Sequence, residues 1–241
     1  MSTSNPIIAV FGSNKPSVHE PEAARLLGKA IGRQGAILLA GGTWRNPASQ
    51  VKDISIVAAA ESNVTTDPPV WIGVANEPAP APLKESHRGV VLTPGGKHER
   101  NFVEACLCHA AVAIGASDGT SSEAIFSLFL QRPVALVNFP NKIGREATMR
   151  TLRTAALRRI APSEHGDPVR RGIRQAYEWA DKPDVDFIRS LLPRTDEDAD
   201  AIIEELIRNI ESVEDRPPLH TLRNARTWEA FVEESIIAAG R

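Results

Sequence analysis

Continuous apolar runs alternate with helix-like stretches from the N-terminus to about Phe139. An uninterrupted apolar run is typical of a strand that is buried on both faces of a parallel sheet. Between these runs, apolar side chains recur at helical spacing, for example at Ala23, Leu27 and Ile31. Strands that alternate with helices predict an α/β fold with a Rossmann-like, doubly wound parallel sheet. The predicted strands are 7–11, 36–40, 70–74, 89–92, 111–115 and a last one that begins at Pro133.

Local signals indicate where the helices begin and end. Ser17-x-x-Glu20 resembles a capping box, and Pro21 suits the first turn of the helix that follows. Gly35 is typical of a left-handed residue that ends a helix. Further helices are predicted at about 48–61 and 99–110, and another starts at Ser121-Ser122-Glu123.

The strand pattern ends after Phe139, so the chain is divided into a Rossmann-like nucleotide-binding domain, residues 1–145, and a helical C-terminal extension, residues 146–241. Lys142 to Arg174 carries nine basic and three acidic residues, whereas Thr195 to Asp215 carries nine acidic residues and one basic residue. Both stretches have helical periodicity. They are either two solvated amphipathic faces or helices that pair with each other, within one chain or between subunits.

Composition excludes several classes of protein. The 241 residues are 42% hydrophobic and 24% charged, as in an ordinary globular protein. A net charge of -2 gives no overall attraction to nucleic acid or to acidic membranes. The polar N-terminus lacks the features of a secretory signal, and no apolar run is long enough to span a membrane. We therefore expect a cytoplasmic protein that binds neither membranes nor nucleic acid.

The two cysteines, Cys106 and Cys108, predict buried free thiols. At a spacing of two in a helix they lie on different faces, which favours neither a disulfide nor joint metal binding. The six histidines show no metal-ligand spacing. We expect neither a metal nor another cofactor.

Three turns of small and polar residues follow apolar strands. In a parallel sheet the carboxyl ends of the strands share one edge, where phosphorylated ligands bind to the backbone amides at helix N-termini. The turns therefore predict one binding site for a negatively charged ligand. They are Gly12-Ser13-Asn14, Gly41-Gly42-Thr43 and Ser117-Asp118-Gly119-Thr120, with Ser121 next to the last of them.

From about Ile7 to Phe139 the chain resembles the LOG-like family of Rossmann-like proteins, often mislabelled lysine decarboxylases, and it is most similar to the branch with an "ARN" arginine motif. Many of these proteins are nucleoside 5′-monophosphate phosphoribohydrolases. The resemblance rests on Ile8-Ala9-Val10-Phe11-Gly12-Ser13, Gly41-Gly42, His98-Glu99-Arg100-Asn101 and Gly119-Thr120-x-x-Glu123, which occur in the family's order and approximate spacing.

The resemblance implies that Arg100 and Glu123 are the catalytic residues. It implies a nucleotide as the ligand, free base and ribose 5-phosphate as the products, and a homodimer. Thr120 and Ser121 would bind the 5′-phosphate with the local amides, and Asn101 is a further candidate ligand contact. Lys97 is the lysine expected beside this site.

Two other functions stay open. Where the family has Pro-Gly-Gly-x, this chain has Gly115-Ala116-Ser117-Asp118, which places a carboxylate where a phosphate is expected. This difference favours a non-catalytic module that binds or senses a nucleotide. A self-associating scaffold that uses the charged helices is the third hypothesis. Thr120 to Glu123 also has the pattern of a capping box, so Glu123 is expected either to stabilise the helix or to act on the ligand.

Overall fold

The computed structural model describes residues 5–41, 50–64, 71–75, 88–92, 96–139, 144–158, 168–181, 186–211 and 228–240. These residues form seven strands and eight helices. The strands are β1 (Ile7–Gly12), β2 (Ile37–Gly41), β3 (Trp71–Ala75), β4 (Arg88–Leu92), β5 (Ala110–Ile114), β6 (Val134–Val137) and β7 (Ile188–Ser190). The helices are α1 (Glu20–Arg33), α2 (Val51–Ser62), α3 (Lys97–Leu107), α4 (Asp118–Phe129), α5 (Arg145–Leu157), α6 (Pro168–Trp179), α7 (Asp196–Glu211) and α8 (Trp228–Ala238).

All seven described strands belong to one parallel sheet in the order β4-β3-β2-β1-β5-β6-β7. The chain builds outward from β1 to β4 on one side and then returns to place β5 on the other side of β1. This arrangement confirms the predicted α/β, Rossmann-like fold. The order reverses between β1 and β5, and the crevice at such a reversal is where open α/β sheets bind ligands.

The core consists of two apolar layers, one on each face of the sheet. Ile7, Ala9 and Phe11 of β1 belong to the layer that includes α3, α4, α6 and α8. Ile8 and Val10 belong to the layer that includes α1, α2 and α7. Because side chains alternate along a strand, an uninterrupted apolar run supplies both layers at once.

The C-terminal third is helical, as predicted, but it also completes the sheet. The expectation that strands end after Phe139 is wrong, because β7 pairs with β6, with Ala135 opposite Ile188. This strand has three residues, all half-buried, and therefore lacks the long apolar run by which the other strands are detected. Helix α7 packs against α1, and α5 packs against α4. The division of the chain into two domains at residue 145 stays a prediction.

The acidic helix α7 forms ion pairs with α1. Arg33 lies 3.1 Å from Asp196 and 2.8 Å from Asp200. In the basic stretch, Arg153 instead pairs with Asp181, at 2.7 Å. Among the ion pairs of the described residues, none joins the acidic stretch to the basic one. The described contacts therefore favour two charged helix faces that do not pair with each other and form their ion pairs with other parts of the chain.

Local backbone signals in the first helix are confirmed in part. The Glu20 carboxylate accepts a hydrogen bond from the Ser17 amide at 2.9 Å, but the N-cap of α1 is His19, so Ser17 does not cap the helix as predicted. Pro21 lies in the first turn, as predicted. Gly35 has a φ of 66°, as predicted for the residue that ends α1. Cys106 and Cys108 are buried free thiols, as expected. Within the described ranges, no helix combines the length and apolarity that crossing a membrane requires.

Helices α1 and α2 approach each other closely at two glycines. A Cβ added to Gly28 would lie 2.3 Å from the Ser55 carbonyl oxygen, and one added to Gly32 would lie 2.5 Å from that of Ala59. Both neighbouring atoms belong to the backbone, so neither can move without shifting α2. These contacts fix the position of α2 relative to β1 and β2.

We expect Gly28→Ala to destabilise the protein by about 1–3 kcal/mol, since overpacking outweighs the gain of about 1 kcal/mol in helix propensity. The measurement is the free energy of unfolding in urea. Gly144→Ala is the matched control, because nothing lies within 4 Å of a Cβ at that position. Equal stability of the two variants would contradict the close packing of α1 on α2.

Candidate functional site

A cavity of about 270 Å³ opens at the reversal of the strand order. It lies at the carboxyl ends of β1 and β2, with α4, the helix that follows β5, on its other side. Residues from α2 and α3 close it. Its lining residues are Gly12, Ser13, Asn14, Lys15, Gly41, Lys52, Arg100, Asn101, Ser117, Gly119, Thr120 and Glu123.

The structure brings together most of the residues that the sequence predicts for the site. Apart from Lys15 and Lys52, every lining residue is a predicted one. Gly42 and Thr43 lie outside the described residues. Ser121 is fully buried in α4, where its hydroxyl has no hydrogen-bond partner, and it does not line the cavity.

The turn after β1 is shaped by the approach of α2. A Cβ on Gly12 would lie 2.2 Å from Cγ1 of Val51, the first residue of α2, so a larger residue would push this helix away from the sheet. Ser13 accepts a hydrogen bond from the Lys15 amide at 3.0 Å. The turn thus places polar side chains and Lys15 at the mouth of the cavity.

Helix α4 begins three residues earlier than the sequence indicates, and its cap is Ser117. The Ser117 hydroxyl oxygen accepts a hydrogen bond from the Thr120 amide at 3.2 Å and lies 2.8 Å from the Thr120 hydroxyl. The interpretation of Thr120 to Glu123 as a capping box is therefore wrong. Because Ser117 caps the helix, Glu123 is not needed for that purpose.

The Asp118 carboxylate points to α5 and not into the cavity. It lies 3.9 Å from the guanidinium of Arg158 at the end of α5, and Asp118 is not a lining residue. The negative charge that distinguishes this turn from the family motif is therefore directed to a partner outside the cavity. The cationic residues that line the described cavity are Lys15, Lys52 and Arg100, against one carboxylate, Glu123.

Glu123 forms a buried ion pair with Lys52. The Lys52 ammonium lies 3.5 Å from Oε1 of Glu123, and the two side chains are 7% and 2% exposed. The side chain of Lys97 lies outside the described part of the structure, and the expectation that Lys97 is the one lysine beside this site is wrong, since Lys15 and Lys52 line the cavity. No local signal in the sequence indicates Lys52, because the predicted helix at about 48–61 places it beyond the first turn, whereas α2 begins at Val51.

Arg100 is held by Glu104, one helical turn further along α3. Nε of Arg100 lies 3.0 Å from Oε1 of Glu104, whose side chain is fully buried. Burial and the charge of Glu123 raise the pKa of Glu104 to about 7, although Arg100 opposes this shift. A Cβ on Gly41 would lie 1.9 Å from Glu104 Oε1, so only glycine leaves room for this carboxylate.

Asn101 connects the arginine to α4. The side-chain oxygen of Asn101 accepts a hydrogen bond from the Arg100 guanidinium at 3.2 Å. Its side-chain amide nitrogen donates to the Ser122 hydroxyl, also at 3.2 Å. Ser122 in turn donates to the Gly119 carbonyl at 2.7 Å. This chain of hydrogen bonds fixes α3 relative to the start of α4. Among the described residues, no group of three or more His, Cys, Asp or Glu side chains is placed to hold a metal ion.

Solved structures with the same fold include two proteins that are named for carrying or binding the molybdenum cofactor. The molybdenum cofactor carrier protein from Chlamydomonas reinhardtii is 20% identical, with a TM-score of 0.53 over 85% of this chain and 99% of its own. The molybdenum cofactor binding protein from Rippkaea orientalis is 18% identical, with a TM-score of 0.52 over 86% of this chain and 99% of its own. At these identities the likeness is one of fold.

No curated protein sequence matches this chain. A family profile, however, covers most of the sheet, the cavity and helix α5. The SLOG cluster4 profile matches residues 5–162, about two thirds of the sequence, and this is consistent with the resemblance to LOG-like proteins. The chain is therefore a member of the SLOG cluster4 family.

Proposed function

We propose that this protein binds a nucleoside 5′-monophosphate in the cavity and hydrolyses its N-glycosidic bond, releasing free base and ribose 5-phosphate. One observation carries the proposal: Arg100 and Glu123, the two residues that match the family's catalytic positions, line the same cavity as the N-terminus of α4. The resemblance to LOG-like proteins supplies the reaction, and the cavity supplies the groups that it needs.

The lining residues suit a phosphate group. The start of α4 carries partial positive charge, and Gly119 allows a ligand to approach the backbone there. Lys15 and Arg100 add full positive charges on the same cavity. The planar guanidinium of Arg100 can bind phosphate or ribose oxygens through two parallel hydrogen bonds. These groups would hold the 5′-phosphate and orient the ribose toward Glu123.

Glu123 suits the chemistry of glycosidic cleavage. As the bond between the base and C1′ breaks, its electron pair leaves with the base and positive charge develops on the ribose. A carboxylate at this point stabilises that charge and positions a water molecule, whose oxygen forms the new bond to C1′. The departing base gains a proton, and the water loses one. No metal or redox cofactor takes part in the proposed reaction.

Binding without turnover is the second candidate function. It is favoured by the internal pairing of both functional residues, Arg100 with Glu104 and Glu123 with Lys52. A site whose charges are already compensated can hold a ligand without reacting with it. The Chlamydomonas and Rippkaea proteins of the same fold are described as a carrier and a binding protein for a cofactor.

The remaining expectations stand as part of the proposal. The resemblance to LOG-like proteins supports a homodimer, and the composition supports a cytoplasmic location without nucleic-acid binding. The two-domain division at residue 145 and the role of the charged C-terminal helices belong to the same set of predictions.

Glu123→Gln is expected to lower turnover by about a hundredfold or more, since glutamine keeps the size of the side chain but cannot stabilise positive charge. The measurement is release of free base and ribose 5-phosphate from AMP and other monophosphates by the purified protein. Glu204→Gln, on the exposed surface of α7, is the matched control and should leave turnover unchanged.

Retained turnover in Glu123→Gln would remove this residue from the mechanism. Thermal stabilisation of the wild-type protein by nucleotides without any release of base would select the binding module. If no monophosphate stabilises the protein and none releases free base, both functions are contradicted.

Arg100→Lys is expected to weaken binding of a nucleoside monophosphate by about tenfold or more, because lysine keeps the charge but loses the paired hydrogen bonds. Affinity for the corresponding nucleoside, which lacks phosphate, should change much less. Calorimetric titration with AMP and with adenosine measures this difference. Arg150→Lys, on the exposed face of α5, is the control. Equal losses for both ligands would show that Arg100 does not recognise the phosphate.

A further inference from the structure

The ammonium group of Lys52 lies where an isolated cation is unfavourable. Lys52 is the second residue of α2, so the partial positive charge of the helix N-terminus opposes its own charge. Its side chain is only 7% exposed, and a buried ammonium loses its hydration. A lysine at such a position needs a compensating negative charge close by.

Glu123 provides this charge from another helix. The two residues are 71 positions apart in the sequence, yet Nζ of Lys52 lies 3.5 Å from Oε1 of Glu123, and both line the cavity. The Glu123 carboxylate is itself 2% exposed, so it has lost most of its contact with water. The ammonium group of Lys52 compensates for this loss and fixes the direction of the carboxylate.

Other charged groups surround this pair, but Lys52 is the cation that contacts the Glu123 carboxylate. On α3, Glu104 repels an ionised Glu123, while Arg100 is engaged by Glu104 at 3.0 Å. Lys15 approaches the cavity from the turn after β1. On α2, Asp53 is buried beside Lys52, and within the described part of the chain its two carboxylate oxygens have no hydrogen-bond partner. Among the described residues, Lys52 is the cation that forms an ion pair with Glu123.

We infer that Lys52 is a positioning residue for the reaction: its ammonium group holds the Glu123 carboxylate in a fixed place and direction in the cavity. The inference rests on the proposed function in so far as Glu123 acts on the ligand. Lys52 acts through Glu123, so its removal should change the chemical step more than the binding of the nucleotide.

Lys52→Met keeps the length of the side chain but removes its charge, whereas Lys52→Arg keeps a cation. With Lys52→Met, kcat for hydrolysis of the monophosphate is expected to fall about tenfold or more, while KM changes less than about threefold. Lys52→Arg should restore much of kcat, because it keeps a cation beside the carboxylate.

Lys29→Met, on α1 and away from the lining residues, is the matched control and should leave kcat and KM unchanged. An unchanged kcat in Lys52→Met, or a loss confined to KM, would overturn the inference. The same holds if Lys52→Arg is as impaired as Lys52→Met.

A double-mutant cycle tests the ion pair without any need for activity. The equilibrium constant for urea unfolding is measured for the wild type, Lys52→Met, Glu123→Gln and the double variant. Lys52→Met should raise the equilibrium constant for unfolding at least about tenfold more in the wild-type background than in the Glu123→Gln background. In the wild-type background the substitution leaves the buried Glu123 carboxylate without its partner.

Additive effects in this cycle would overturn the inference. If Lys52→Met alone does not fold, the double variant is expected to fold, and its failure would also overturn it. If the wild type releases no base from any monophosphate, the proposed hydrolase function fails, and the cycle still decides whether Lys52 holds the Glu123 carboxylate.

Discussion

The parallel pairing of β1 with β5 is the constraint on which the rest of the site depends. Gly12, at the end of β1, lies opposite Ile114, at the end of β5. Because β2 occupies the other side of β1, the helices after β1 and β5 pack on opposite faces of the sheet. The chain therefore separates at this point and leaves a crevice between two turns. Both proposed functions, hydrolysis of a nucleotide and binding without turnover, place the ligand there.

Within that crevice, two buried ion pairs from three helices determine the electrostatics. Glu104 on α3 pairs with Arg100 on the same helix, and Lys52 on α2 pairs with Glu123 on α4. The two carboxylates interact unfavourably, which is one reason why the pKa of Glu104 is raised to about 7. The two acids therefore have different surroundings: Glu104 has a raised pKa, and Glu123 pairs with Lys52. Environments that differ in this way are typical of sites that handle charged intermediates.

The fold and most of the lining residues could be predicted because their signals are local. Apolar runs followed by glycine turns identify β1, β2 and β5, and parallel strands bring their ends to one edge. Lys52 could not be found in this way, since its partner is 71 positions away and the pairing depends on how α2 packs. The cap at Ser117 was missed because Thr120 to Glu123 offers a competing capping pattern of equal quality. Strand β7 was missed because three half-buried residues carry almost no apolar signal.

The space above Gly41 has a consequence for how this family can vary. The Glu104 carboxylate fills the volume that any other side chain at position 41 would need. The last residue of β2 and the middle of α3 are thus tied together, although they lie far apart in the sequence. A relative with alanine or a larger residue at position 41 is expected to carry a side chain shorter than glutamate at position 104. Such a relative would have to support its arginine by other means, and a paired change at these two positions would mark a differently organised pocket.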